Sequence, residues 1–480
     1  MNKKIENNLL PASVNLKEVL ARLNSGVRGA VFIADVNHQV MGMFTDGDVR
    51  RALLNGASMH DLASKHMNRE FVKGRAASPR IDNLALLNEK IRHVPVLDDD
   101  GRLVDMLSWT EMLNLPLMTP SLAGNELKYL NDCIVSGWIS SQGGYVKKFE
   151  QSFADMHDGY SSMAVSSGTA ALHLALKALG IRAGDEVIVP DLTFAATANV
   201  VVHCGAKPVC IDVDATTWTM DVTKIESSIT DKTRAIIPVH LYGHPCDMDP
   251  VMDIARKYNL SVIEDCAEAQ GSTYKGRMVG TIGDIGCFSF FSNKVITTGE
   301  GGMVMTRNNE LAEQALLYRD HGMNRERRYW HDVAGFNYRM TNLQAAVGVA
   351  QLERLDQFIS RRREIGRRYV QGLQGIPGLS MPPDLEWAST IYWIFSMLVD
   401  ENQAGISRDS LISRLSECGI ETRPFFYPLH VQQPFKQEGD FVVADRLSLQ
   451  GISLPSGNDI SDHDIDSVCA EIKKIINLKK

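Results

Sequence analysis

The chain has 480 residues, which is long for a single hydrophobic core and predicts two or three domains. Hydrophobic residues make up 44% and charged residues 22%, both ordinary for a soluble protein, and the formal net charge of -8 argues against nucleic-acid binding. The eight cysteines form no CxxC pair and no framework spacing, so we expect neither a metal site nor a disulfide scaffold.

The first residues, MNKKIENNLLPASVNL, are basic but lack the apolar core of a signal peptide. No uncharged apolar stretch approaches the roughly 18 residues that a membrane-spanning helix requires. We therefore expect a cytoplasmic protein without an export signal or a membrane segment.

A weak internal repeat lies between residues 30 and 112, with the second copy 63 residues after the first. The two copies are AVFIADVNHQVMGMFTDGDV and HVPVLDDDGRLVDMLSWTEM. In each, an alternating apolar run ends at a polar turn, and a second strand then leads into a short helix. Two such units are expected to pack as a pseudo-symmetric α+β pair.

This region resembles a pair of CBS domains, best at TDGD, residues 45–48, followed by VRRALL. In that family the equivalent Thr and Asp contact the ribose and phosphate of adenine nucleotides, so Thr45 and Asp48 are candidate ligand contacts of a regulatory module. Both residues would look the same as ordinary helix caps. In the second copy Thr110 and Glu111 are one residue out of phase, which argues against a second nucleotide site.

The segment NLPLMTPSLAG, residues 114–124, holds two prolines and a glycine and is typical of a linker, so we place the CBS pair at 1–117. From 118 to 360 apolar runs alternate with helical segments, which predicts a large α/β domain with a mostly parallel sheet. Residues 361–480 are predicted to form a smaller C-terminal α+β domain. The runs are EVIVP (186–190), KPVCIDVD (207–214), RAIIPVHLYG (234–243) and SVIED (261–265).

One helix of the large domain is predicted within DMDPVMDIARKYN, which follows the third apolar run. Asp249 is the expected N-cap and Pro250 the first helical residue, because proline is favoured at that position. Asn259 is expected near the C-terminal end of the helix.

Ligands of an open α/β sheet bind beyond the carboxyl ends of its strands, so the residues after each apolar run are candidates for a site. Residues 166–169 of SSGTAALHLALKALG, which include Gly168 and Thr169, precede a predicted helix, and the free N–H groups at the start of such a helix attract a phosphate. Asp265 ends the run SVIED, where a buried carboxylate needs a positive partner or several hydrogen bonds. Each residue alone could equally be a cap.

Two further segments carry polar groups. Lys294 lies among apolar and small residues in GDIGCFSFFSNKVITTGEGGMVMT, with Ser289 five residues before it, and such surroundings favour the neutral amine that forms a Schiff base. In GFNYRMTNLQAA, Asn337 and Arg339 precede a long helix. Taken alone, the lysine could face solvent, and the asparagine could cap the helix.

In this order the four segments resemble the fold-type I sugar-nucleotide aminotransferases, and among them the GDP-perosamine synthases. The resemblance covers residues 119–475 and leaves the CBS pair as an added module. The segments that carry it are GWISSQG, HLYGHPCDMDP, EDCAEA, FSFFSNKVITTGEGGM, RRYWHDVAGFNYRMTNLQAAVGVAQLER and ETRPFFYPLH.

The resemblance implies that pyridoxal 5'-phosphate is the cofactor and that Lys294 binds it as a Schiff base. It also implies a homodimer with shared active sites, to which the partner subunit's Asn337 contributes a phosphate contact. The other implied contacts are Asp265 for the ring nitrogen, Glu268 for the ring hydroxyl region, Phe194 for stacking on the ring, and Gly168, Thr169 and Ser289 for the phosphate. Many relatives carry Gln or His in place of Glu268, but the perosamine branch has this glutamate too. Ser292 is a departure, because it replaces a glycine common in perosamine synthases.

The implied reaction is a ping-pong transamination in which glutamate is the amino donor. The acceptor is the C4 keto group of a nucleotide-linked 4-keto-6-deoxy sugar, and GDP-4-keto-6-deoxy-mannose would give GDP-perosamine, a sugar of O-antigen lipopolysaccharide. Candidate contacts on the sugar side are His240, Tyr427 and His430, although a buried histidine at a strand end is as often structural.

Four alternatives stay open at this point. The substrate could be a UDP-linked 4-keto sugar, or the chain could be a sugar dehydratase of the same family, although those enzymes carry histidine in place of Lys294. The chain could be a CBS-based nucleotide-sensing protein with an inactive catalytic domain, against which Lys294, Asp265 and Asn337 argue. A Rossmann oxidoreductase is disfavoured because no GxGxxG follows a strand.

Overall fold

The computed structural model describes residues 8–25, 29–78, 80–84, 86–88, 90–109 and 115–477. These residues form two compact units. The N-terminal unit runs up to Leu115 and also contains Ser416–Ile420, and the α/β unit comprises Pro116–Leu415 and Glu421 onward. Within the described ranges, every helix is too short or too polar to cross a membrane.

The N-terminal unit contains two small three-stranded sheets of the same design. In each, an antiparallel hairpin is joined by one parallel strand, and the hairpin register shifts at Ile33/Ala34 and, 63 residues later, at Val96/Leu97. The predicted repeat is therefore present as two matching hairpins. The elements are β1 (Leu9–Pro11), α1 (Leu16–Asn24), β2 (Ala30–Ala34), β3 (Val40–Thr45), α2 (Asp46–Leu54), β4 (Gly74–Arg75), α3 (Arg80–Leu84), β5 (His93–Leu97) and β6 (Leu103–Ser108).

Thr45 and Asp48 both cap helix α2. The Asp48 carboxylate accepts hydrogen bonds from the backbone N–H and the hydroxyl of Thr45, at 2.8 and 2.7 Å, and pairs with Arg51 at 2.5 Å. These contacts occupy both oxygens of Asp48 within its own helix. Thr110 and Glu111, the corresponding residues of the second copy, lie outside the described residues.

The α/β unit is built on a seven-stranded sheet in the order β7-β15-β14-β11-β10-β8-β9. Six strands run in one direction and β15 runs against them, so the predicted mostly parallel sheet is present. Apolar residues of these strands and of the flanking helices form its core. The strands are β7 (Ser161–Val165), β8 (Glu186–Pro190), β9 (Lys207–Ile211), β10 (Thr233–Ile236), β11 (Ser261–Asp265), β14 (Ile285–Ser289) and β15 (Gly302–Thr306).

Helices surround this sheet and continue into a C-terminal segment with its own antiparallel sheet, in the order β16-β18-β20-β19. A third, three-stranded sheet has the order β13-β12-β17. Their strands are β12 (Thr273–Tyr274), β13 (Arg277–Met278), β16 (Leu379–Ser380), β17 (Ala388–Ser389), β18 (Phe395–Val399), β19 (Arg423–Pro424) and β20 (Gly451–Leu454). The helices are α4 (Glu126–Ser136), α5 (Gly144–Met156), α6 (Gly168–Ala178), α7 (Ala196–His203), α8 (Met248–Tyr258), α9 (Asn309–Arg319), α10 (Asn342–Leu352), α11 (Leu355–Leu373), α12 (Glu401–Ala404), α13 (Arg408–Glu417), α14 (Val442–Gln450) and α15 (Asp462–Asn477).

Helix α8 begins earlier than its sequence predicts. Its N-cap is Asp247 rather than Asp249, and Pro250 is its third residue instead of its first. A proline is tolerated there because the first four N–H groups of a helix have no partner within it. At the other end, Asn259 terminates the helix in the left-handed conformation, with φ of 51°.

Glu264 holds the end of strand β11 in place. Its side chain is fully buried, and its carboxylate accepts the backbone N–H groups of Gly280, Ile282 and Gly283 at 2.6 to 2.8 Å. His240 Nδ1 accepts the Cys246 N–H, so the His240 Nε2–H donates to Glu264 at 3.2 Å. Because Glu264 precedes Asp265, this network sets where the Asp265 side chain lies.

We expect Glu264→Gln to lower the free energy of unfolding by about 1.5–3 kcal/mol at pH 7, because the amide NH₂ leaves a buried backbone N–H without an acceptor. Burial alone would raise the pKa of Glu264, but hydrogen bonds from His240, Gly283 and Gly280 outweigh it and lower the pKa. The stabilisation is therefore present above the ordinary value of 4.5 and is lost as the pH falls below it.

Urea unfolding at pH 7 and at about pH 4 measures the difference in stability between the wild type and Glu264→Gln. The difference should be smaller at the lower pH. Glu313→Gln, at an exposed position of α9, is the matched control. Equal stability of the wild type and Glu264→Gln at pH 7 would contradict the assignment.

Candidate active site

A cavity of about 410 Å³ lies at the carboxyl ends of β7, β8, β11 and β14. These strands run the same way, so the residues that follow them meet at one edge of the sheet. Seven sequence-predicted residues line it: Gly168, Thr169, Phe194, Asp265, Glu268, Ser289 and Lys294.

The Lys294 side chain lies in this cavity and is only 12% exposed. Its Nζ atom is 3.9 Å from Oε1 of Glu268 and 3.7 Å from the centre of the Trp393 ring. Burial lowers the pKa of Lys294, against the opposing charges of Glu268 and Asp265, and burial raises the pKa of Glu268 to about 7. The surroundings therefore favour a neutral amine, which is the form that attacks a carbonyl carbon.

Asp265 ends strand β11 with its side chain buried. Its Oδ2 accepts the hydroxyl of Thr197 at 2.8 Å, and its Oδ1 accepts the backbone N–H of Ala267 at 3.1 Å. Burial raises the pKa of Asp265, although these hydrogen bonds oppose the shift. Since a buried carboxylate is costly unless it is paired, this position fits a positively charged group in the cavity, such as a protonated pyridine nitrogen.

The start of helix α6 and the end of strand β14 approach each other closely. A Cβ atom on Gly168 would lie 2.7 Å from the Cβ atom of Ser289, so the contact requires glycine at this position. Ser167 caps the helix by accepting the N–H of Ala170 at 3.1 Å. The free N–H groups of the first turn, together with the hydroxyls of Thr169 and Ser289, fit a phosphate group.

Phe194 and Asn337 lie in different surroundings. Phe194 lines the cavity with 59% of its surface exposed, and its ring centre is 5.8 Å from that of Phe426. Asn337 does not line the cavity of its own chain, and its Oδ1 accepts the Nε–H of Arg339 at 3.0 Å. Because an arginine N–H only donates, this bond uses the amide oxygen of Asn337, and the amide N–H groups of Asn337 take no part in it.

None of the three predicted sugar-side residues lines the cavity. His240 is fully buried in the Glu264 network, and Tyr427 is 65% exposed. His430 donates its backbone N–H to Asp191, and its Nδ1 lies 2.7 Å from the other oxygen of that carboxylate. The ring of His430 also stacks on Phe441 at 4.2 Å. The two histidines thus have their partners within the protein.

The cavity residues that the sequence analysis did not select include Thr197, Tyr242, Trp393 and Arg423. Thr197 carried a weak signal, because it lies three residues after Phe194 at the start of a helix. Tyr242 has a φ of 52°, a left-handed conformation, and donates its N–H to Glu268 at 2.9 Å. Trp393 donates its indole N–H to the Asn293 carbonyl at 2.7 Å, and neither it nor Arg423 follows a strand of the parallel sheet.

Solved structures of aminotransferases share the fold of this chain. The aminotransferase TlmJ from Streptoalloteichus hindustanus aligns with a TM-score of 0.72 and 32% identity, over 76% of this chain and 99% of that one. A putative sugar aminotransferase, Spr1654 from Streptococcus pneumoniae in its PMP-form, aligns with a TM-score of 0.71 and 29% identity, over 76% and 98%. The predicted fold-type I architecture and the predicted cofactor, pyridoxal phosphate, are confirmed.

The GDP-perosamine synthase of Escherichia coli O157:H7 is 46% identical over 369 residues, which cover 77% of this chain and 100% of that protein. That of Caulobacter vibrioides is 43% identical over 370 residues, or 76% and 100%. The CBS family matches residues 63–117, which include the second copy of the repeat. The DegT/DnrJ/EryC1/StrS aminotransferase family matches residues 120–473, the part of the chain that carries the cavity, and the chain belongs to that family.

Proposed function

We propose that this enzyme transfers the amino group of glutamate to the C4 keto group of GDP-4-keto-6-deoxy-mannose and forms GDP-perosamine. The observation that carries the reaction type is the buried amine of Lys294, which lies beside Glu268 in a cavity that Asp265 and the start of helix α6 also line. The choice of sugar and nucleotide is supported by the names of the relatives that are 43–46% identical.

When bound, pyridoxal phosphate supplies a carbonyl carbon that exchanges amino groups and a ring that takes up electrons. Lys294 would hold the cofactor and then move a proton between the α-carbon of the amino acid and the C4' carbon of the cofactor. Asp265 would accept the ring N–H and keep that nitrogen protonated. Gly168, Thr169 and Ser289 would bind the phosphate. The centre of the Trp393 ring lies 3.7 Å from the amine of Lys294, and the ring forms one wall of its surroundings.

We also propose a homodimer in which Asn337 of the partner subunit completes the phosphate site. In support, Asn337 does not line the cavity of its own chain. A patch of exposed apolar side chains at the end of α4, Ile134, Val135, Trp138 and Ile139, is 48–89% exposed in the single chain and is suited to burial against a second copy.

The N-terminal unit is proposed to bind an adenine nucleotide. A cavity of about 440 Å³ there is lined by Asp48, Arg51, His66 and Asn68, among others, and Arg51 and His66 could face a phosphate. Thr45 does not line it. We place the enzyme in the cytoplasm, where nucleotide sugars are made and where its eight cysteines would stay reduced.

The substrate assignment predicts one product. Purified enzyme with glutamate should convert GDP-4-keto-6-deoxy-mannose to a product with the mass of GDP-perosamine, and a UDP-linked 4-keto hexosamine should react far more slowly. Lys294→Ala should form no product, and the exposed Lys232→Ala should match the wild type. Faster turnover of the UDP sugar would overturn the choice of nucleotide, and full turnover by Lys294→Ala would overturn the mechanism.

Thr197 is predicted to position Asp265. Thr197→Val keeps the shape but removes the hydroxyl that donates to Oδ2, so the cofactor absorbance change on adding glutamate should slow by about tenfold or more. Thr197→Ser should restore the rate, which a packing role alone would not predict. Thr216→Val, at an exposed threonine, is the control. A wild-type rate for Thr197→Val would show that the hydroxyl is dispensable.

Deletion of residues 1–115 should leave transamination intact, because the described residues that line the cavity all lie between Ser167 and Ser453. We expect the truncated enzyme to keep a kcat within about twofold of the full chain, measured on fractions whose dimeric state is checked by size-exclusion chromatography. A soluble, dimeric but inactive truncation would contradict this.

A further inference from the structure

The charges that line the active-site cavity do not match the charges of the proposed substrates, on which this inference rests. Among the described lining residues, the acidic ones are Asp265, Glu268 and Glu300, and the cationic ones are Lys294 and Arg423. Glutamate carries two carboxylates and a nucleotide sugar carries a diphosphate. Both substrates therefore have to bring oxyanions to a cavity whose described lining has more acidic than basic side chains.

Most of the positive groups of the cavity are assigned to the cofactor. The amine of Lys294 is the proposed covalent attachment point, and the N-terminus of α6 is the proposed phosphate cradle. Among the cations of the described lining residues, Arg423 is then left to face the substrates.

Arg423 has a fixed backbone and an available guanidinium. It lies on β19, where it pairs with Ser453 of β20, and the next N–H along, that of Phe425, donates to the Gly451 carbonyl at 3.1 Å. A Cβ atom on Gly451 would clash with the Phe425 ring, so glycine there lets the two strands close over this ring. The anchored strand places the Arg423 side chain at the cavity, where it stays 56% exposed.

One carboxylate orients the guanidinium. Glu421 accepts an Arg423 N–H at 3.2 Å through Oε1, and its Oε2 accepts the backbone N–H of Leu117 at 3.0 Å. An arginine has five N–H donors in a planar fork that matches an oxyanion. The contact with Glu421 uses one donor and leaves others for a ligand.

We propose that Arg423 binds the oxyanion of a substrate in this cavity. The oxyanion is either a carboxylate of the amino donor or the diphosphate of the sugar nucleotide. In a ping-pong reaction these two substrates enter in turn, so one arginine can serve both.

Isothermal titration of the holoenzyme separates the two sources, with glutarate as the dicarboxylate probe and GDP as the diphosphate probe. Arg423→Gln should weaken at least one of them by about 10- to 100-fold, the usual effect of losing a charge-assisted hydrogen bond. Arg423→Lys should retain part of the affinity, since it keeps the charge but not the fork. Loss for glutarate alone assigns the amino donor, loss for GDP alone assigns the nucleotide, and loss for both assigns a shared role.

Arg446→Gln, at an exposed arginine of α14, is the matched control and should bind both probes as the wild type does. An unchanged cofactor absorbance spectrum shows that the Arg423 variants retain the fold around the cofactor. Wild-type affinity of Arg423→Gln for both probes would overturn the proposal. A wild-type enzyme that binds glutarate but not GDP would instead count against the proposed nucleotide, and the glutarate measurement would still test Arg423.

Discussion

Burial of Lys294, Asp265 and Glu268 in one cavity is the constraint on which the proposed chemistry depends. Placing an ammonium and two carboxylates out of water is costly, and the protein lessens the cost by favouring the neutral forms of Lys294 and Glu268. Asp265 keeps two hydrogen bonds instead, from Thr197 and from Ala267. The neutral amine of Lys294 can form a Schiff base with the aldehyde of pyridoxal phosphate. The buried carboxylate of Asp265 can accept the N–H of the protonated cofactor ring.

The parallel sheet brings these groups together. The strand ends carry Gly168, Asp265 and Ser289 to one edge, and polar or small residues after the apolar runs indicated this edge, whereas Phe194 was implied only by the family resemblance. The start of α8 could not be fixed as well, because Asp247 and Asp249 are both suitable caps and sequence alone does not distinguish them. The two repeat hairpins have the same strand register, and their register shifts lie 63 residues apart. This spacing equals the offset of the sequence repeat.

The residues that sequence reasoning missed share a physical cause. Trp393 and Arg423 reach the cavity from the C-terminal segment, and their approach depends on how that segment packs on the sheet, which no local pattern encodes. The role of the buried Thr197 hydroxyl depends on its hydrogen bond to Asp265, which lies 68 residues further along the chain. His240 and His430 were selected because they lie in segments that match the family, but hydrogen bonds to Glu264 and to Asp191 engage both side chains.

The claim at the centre of this account is that Lys294 carries the cofactor. Reduction of the purified holoenzyme with borohydride, followed by proteolysis and peptide mass spectrometry, identifies the lysine that holds pyridoxal phosphate. The account predicts a phosphopyridoxyl group on the peptide that contains Lys294 and on no other lysine. A modified lysine elsewhere, with Lys294 unmodified, would contradict it.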